Sequence, residues 1–117
     1  MDLVAAFVRH VRDRGLLPRG ARILVACSGG GDSLALAQLL VLARRDLAAE
    51  ALELAHLDHG LRPGSAADRG YVERWAAEAG LPVAAERRPV RAGPGESPEE
   101  AARRVRLAFL AETARTR

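Results

Sequence analysis

Residues 28–33 read Ser-Gly-Gly-Gly-Asp-Ser, directly between an apolar run at Ile23–Cys27 and a second that starts at Leu34. Hydroxyls, a carboxylate and contiguous glycines in so short a span suit one task, which is to hold an anion. Glycines let backbone N–H groups converge, and the N-terminus of the helix that follows adds the positive end of its dipole. A phosphate is the usual occupant of such a turn. The plainer alternative is chain reversal, with Asp32 or Ser33 doing no more than cap the helix. The strand–turn–helix setting favours the phosphate reading. Ser28, Gly29, Gly30, Gly31, Asp32 and Ser33 are therefore the expected phosphate-binding residues.

A second cluster, His56-Leu57-Asp58-His59-Gly60-Leu61-Arg62, follows another apolar run. A metal site is set aside, because His56 and Asp58 alternate along an ending strand and no further ligand cluster exists. A tight turn in which His59 bonds the backbone stays open as the structural alternative.

These residues need a scaffold, and the pattern supplies one. Asp2 caps a first helix with Leu3, Val4, Phe7, Val8 and Val11 on one stripe, ending near Gly15. Ile23–Cys27 lacks alternation and reads as a fully buried strand. A helix runs from Ser33 to about Arg45, apolar nearly all round, and Leu52–Leu57 is the second strand. Ser65 with Asp68 forms a capping box for a helix that turns Tyr71, Val72, Trp75, Ala76 and Ala79 inward and stops at Gly80. Val83–Val90 is a third strand, and Glu86, Arg87, Arg88 and Pro89 place it at a sheet edge. Ser97-Pro98-Glu99-Glu100 starts a last helix with Ala101, Val105, Ala108 and Phe109 on one face. Strands alternating with helices predict an α/β fold with an open parallel sheet, the second strand lying between the other two.

Composition bounds the rest. The chain has 117 residues, 49% hydrophobic and 28% charged, as expected of one globular domain. Its single cysteine, Cys27, cannot form an internal disulfide, so a reducing cytoplasm is the expected compartment. Neither a signal peptide nor a membrane-length apolar run stands in the sequence. The net charge of +3, carried by arginine with no lysine at all, permits a polyanionic partner without demanding one.

The missing lysine also sorts the phosphate loop. A Walker loop requires Gly-Lys-Ser/Thr, and a dinucleotide fingerprint requires Gly-x-Gly-x-x-Gly; neither is present. Ser28-Gly29-Gly30-Gly31-Asp32-Ser33 instead resembles the Ser-Gly-Gly-x-Asp-Ser signature of the PP-loop ATP pyrophosphatases. The resemblance implies a three-layer α/β/α fold of the adenine nucleotide α-hydrolase type, here truncated to about three strands. It also implies ATP cleavage between the α and β phosphates. The 56–62 loop is similar to the His-Val-Asp-His-Gly-Leu-Arg segment of the tRNA(Ile)-lysidine synthetase family, and Glu99-Glu100-Ala101-Ala102-Arg103-Arg104-x-Arg106 is similar to its third block. Leu107 departs from the tyrosine of that block.

That resemblance implies a two-step ligation with ATP and Mg2+: adenylation of the wobble cytidine in an isoleucine tRNA with a CAU anticodon, then displacement of AMP by free lysine. It makes Asp32 a magnesium-positioning or helix-capping residue and Arg103 a stabiliser of phosphate charge. His56, Asp58, His59 and Arg62 become an active-site loop. The competing role for Arg103 and Arg104 is i,i+4 pairing with Glu99 and Glu100. In the family an Ala-Thr-x-His-x-x-Asp-Asp block lies beyond the position of Arg117. The expectation is therefore a partial domain, with an N-terminal helix and turn over 1–20 and strand–helix repeats over 21–117, lacking the C-terminal strands and tRNA-binding domains. Such a chain would be inactive alone and would oligomerise through the open edge of its first strand. Another PP-loop enzyme, or a non-catalytic nucleotide-binding module, is the alternative.

Overall fold

A computed structural model describes residues 2–28, 31–59 and 65–116, with backbone only at 65 and 66. The helix Leu3–Asp13 (α1) is followed by the strand Arg22–Ala26 (β1), the helix Gly31–Leu47 (α2) and the strand Ala51–Asp58 (β2). The helix Ser65–Ala79 (α3), the strand Val83–Arg87 (β3) and the helix Pro98–Thr116 (α4) complete the described residues. The sheet has the order β1-β2-β3, and both pairs are parallel. In register, Val25 stands beside Leu54 and Ala26 beside Ala55, while His56 stands beside Ala85.

Local chemistry sets the helix ends. The Asp2 carboxylate accepts from the Val4 and Ala5 amides at 3.0 and 3.2 Å. Past Asp13, the Leu16 amide reaches the Val11 carbonyl while Gly15 takes φ +61°, a left-handed closure suited to glycine. Gly80 closes α3 in the same way, with the Leu81 amide on the Ala76 carbonyl at 2.8 Å. The Ser97 hydroxyl accepts from the Glu100 amide at 3.1 Å, and Pro98 opens α4. The Ser65–Asp68 capping box rests on a side chain outside the described residues.

Alternation along β2 sorts the two faces of the sheet. Leu52 and Leu54 point into a core built with Val25, Ala37, Leu40, Val72 and Ala76, supplied by β1, α2 and α3, and α1 adds Val8 and Val11. The opposite face receives α4 through Phe109, which is buried with Ala101 and Thr113. This is a three-layer arrangement around an open parallel sheet.

Several expectations are corrected. β1 is not fully buried: Arg22 and Ala26 are exposed, Ile23 and Leu24 half-buried, and only Val25 is buried. The strand's place at the edge of the sheet is as expected, and no strand pairs with its outer side among the described residues. β3 ends at Arg87: the Arg88 amide still donates to the Asp58 carbonyl at 2.9 Å, and Pro89 after it has no amide to carry the ladder on. α2 begins at Gly31, two residues earlier than expected, and exposes Leu36 and Leu42. Tyr71 is 50% exposed and faces solvent, since α3 buries the stripe of Val72 and Ala76 instead. Ala108 is exposed as well, α4 meeting the sheet through Ala101, Phe109 and Thr113.

Candidate nucleotide site

Where β1 ends, Cys27 remains buried and its amide continues the ladder onto the Ala55 carbonyl at 2.8 Å. Ser28 then leaves the sheet. Its amide donates to Ser33 Oγ at 3.3 Å, and the two hydroxyl oxygens lie 3.5 Å apart. The turn thus gathers both serine hydroxyls at the first turn of α2, where helix amides still lack carbonyl partners. Asp32 stands exposed in that same turn. Gly29 and Gly30 lie outside the described residues. At Gly31 an added Cβ would meet nothing within 4 Å, and φ is not left-handed, so neither packing nor backbone demands glycine there.

The two histidines of the second cluster go to opposite faces of β2. His56 is 2% exposed and lies with Asp58 on the side of the main core. His59 is half-buried and lines a cavity of about 370 Å³ on the α4 side. Ser28, Leu57, Arg106 and Phe109 border the same cavity. It opens at the carboxyl ends of β1 and β2, the place where open parallel sheets receive ligands. Arg62 lies outside the described residues.

The arginines of α4 divide their tasks. Arg104 grips Glu96 with Nε and Nη2, each at 3.0 Å, and also donates to the Arg91 carbonyl at 3.0 Å. That guanidinium, together with the Gly93 amide, holds the Glu96 carboxyl down at about 2. Arg104 is therefore committed to the loop before α4, not to Glu100. Arg103 is exposed and forms no ion pair among the described residues. Arg106, which the sequence reading did not single out as a site residue, borders the cavity. The signal was there in the spacing: Arg106, Phe109 and Thr113 recur at helical intervals on the sheet-facing stripe. Burial pushes the Cys27 thiol up, away from the thiolate form.

Among the described residues no group of three or more His, Cys, Asp or Glu side chains could hold a metal ion. The single carboxylate of Asp32 fits magnesium that arrives on phosphate oxygens, which needs only one or two protein carboxylates.

Residues 4–117 match the family model of the PP-loop domain ATP_bind_3. The chain belongs to the PP-loop ATP-binding family. It is also similar to proteins named tRNA(Ile)-lysidine synthase. Identity is 48% over 114 residues with that of Salinispora arenicola, covering 95% of this chain and 33% of the relative. With that of Thermus thermophilus it is 43% over 118 residues, covering 98% and 22%. With that of Dehalococcoides mccartyi it is 40% over 110 residues, covering 91% and 23%. The chain thus spans between about a fifth and a third of the length of these relatives. No helix among the described residues is long and apolar enough to cross a membrane.

Proposed function

We propose that this chain is the N-terminal ATP-binding part of an enzyme that ligates free lysine to the wobble cytidine of an isoleucine tRNA with a CAU anticodon. The observation that carries the reading is the Ser28–Ser33 turn at the mouth of the cavity shared by His59 and Arg106. In the first step the C2 oxygen of cytidine attacks the α-phosphorus of ATP, and pyrophosphate leaves. The lysine amino group then attacks C2, the C2–O bond breaks, and AMP departs. The turn amides and the Ser28 and Ser33 hydroxyls hold the pyrophosphate portion, and Asp32 would hold the magnesium that arrives with it. Magnesium supplies charge neutralisation on the phosphates. Arg106, and Arg103 one turn away, stabilise phosphate charge as it develops. The relatives' names and the 56–62 motif support the substrate assignment, and the compartment that goes with it is the cytoplasm.

Calorimetry with ATP tests the site. Gly30→Val puts a β-branched residue inside the Ser-Gly-Gly-x-Asp-Ser signature, so binding should be abolished. Equal ATP affinity in wild type and variant would refute the assignment.

The same reading includes a homo-oligomer formed across the β1 edge. An apolar groove of about 400 Å³ runs beside that edge, where Leu16 is 56% and Leu36 44% exposed. β3, by contrast, carries Glu86 and Arg87 at its exposed end. Antiparallel pairing of two copies centred on Leu24 would set Arg22 opposite Ala26, with no like charges meeting. Leu36→Glu should convert the assembly to monomer in light scattering; a wild type that is already monomeric at high concentration would refute it.

A further inference from the structure

We propose that His56 is a positioning residue for the phosphate loop, acting through the carbonyl of Cys27; this rests on the nucleotide-binding reading above. His56 Nδ1 lies 2.7 Å from the Cys27 carbonyl oxygen. A carbonyl can only accept, so Nδ1 carries the hydrogen and the tautomer is set. The other ring nitrogen, Nε2, is buried with no hydrogen-bond partner among the described residues. An apolar side chain would fill this core position without leaving a buried nitrogen unpaired. The bond to Cys27 is what the imidazole adds.

That bond controls more than one atom. The Cys27 carbonyl and the Ser28 amide belong to the same rigid peptide plane. The preceding amide, that of Cys27, is held by the Ala55 carbonyl at 2.8 Å. The ring of His56 on the carbonyl holds this plane from one side, and the bond of the Ser28 amide to Ser33 Oγ holds it from the other. The orientation of the first peptide of the loop is thus set from β2, 29 residues further along the chain. Without this donor the plane keeps only the restraint on its amide side, and the aim of Ser28 at α2 loosens.

Two variants separate positioning from bulk. In His56→Asn the amide nitrogen falls near the position of Nδ1 and can still donate to Cys27. In His56→Gln the amide reaches the region of Nε2 instead. Both are neutral amides. ATP affinity by calorimetry and the Ser28 amide resonance by 15N NMR are the readouts, with folding confirmed by circular dichroism. H56N should bind ATP within about twofold of wild type and keep the Ser28 resonance, whereas H56Q should bind about tenfold more weakly and shift it, as loss of one buried hydrogen bond implies. H56N is the decisive arm: if it unfolds, or loses affinity as far as H56Q does, the donor role is overturned. Wild-type affinity in a folded H56Q overturns it too. A wild type that binds no ATP would count against the nucleotide-binding reading instead, and the Ser28 resonance would still report whether His56 aims the loop.

Discussion

Phe109 is the side chain through which α4 holds the sheet, and its removal has a calculable cost. It is 2% exposed, borders the cavity it shares with Ser28 and His59 on one side, and carries the Arg88 guanidinium 5.3 Å from its ring centre. Truncating a buried phenylalanine to alanine costs about 3–5 kcal/mol, lost transfer energy and residual cavity together. The cation–π contact adds about 0.5–1 kcal/mol, at the low end because Arg88 is partly exposed. Phe109→Ala should therefore destabilise the protein by about 4 kcal/mol, against about 5–15 kcal/mol for the whole stability of a typical domain. In a chain of this size that lowers Tm by about 15 °C. Urea unfolding followed by circular dichroism measures it, and the midpoint should fall with the m-value unchanged. A double-mutant cycle with Arg88→Met isolates the ring–guanidinium coupling, expected at about 0.5–1 kcal/mol. ATP binding should weaken in the folded variant, because α4 also carries Arg106 to the cavity. A loss below about 2 kcal/mol would refute the reasoning, since α4 would then be held by something other than this ring.

Other outcomes follow from the same structure. Arg104 holds the Glu96 carboxyl at about 2, below its ordinary 4.5, so the stability it contributes is complete above pH 4.5 and is lost as pH falls towards 2. Glu96→Gln should flatten the acid limb of a pH–Tm curve over that window; an unchanged limb would show that the Arg104 contact is not formed in solution. Ala48 ends α2 at φ +54°, a left-handed position where glycine is at ease. Ala48→Gly should stabilise by about 0.5–1 kcal/mol in urea unfolding, after the added freedom of the unfolded chain is subtracted, and destabilisation would contradict the strain.

Much of the fold was legible because its signals are short-ranged. Asp2, Gly15, Gly80 and Ser97 act within about one helical turn of themselves, and the structure shows each of them doing so. The order of strands was readable from the charges of β3 alone. Burial along β1 was not: an unbroken apolar run looks the same whether the strand is covered on all sides or left at an edge. Tyr71 and Ala108 were misplaced for a related reason, since a wide apolar stripe does not say which part of it a neighbouring layer will cover.

What the sequence determined by itself is the family signature of the loop and the alternation of strand and helix, for motif residues and hydrophobic period are local properties of the chain. What only the tertiary structure decided is how the polar groups are shared out. β2's pleat sends His56 beneath Cys27 and His59 to the cavity, and the rotation of α4 brings Arg106 to the cavity while Arg104 is spent on Glu96. Those assignments depend on the register of β1 with β2 and on the packing of α4 against the sheet. Both join residues distant in the chain, so neither is written in the neighbourhood of the residues it governs.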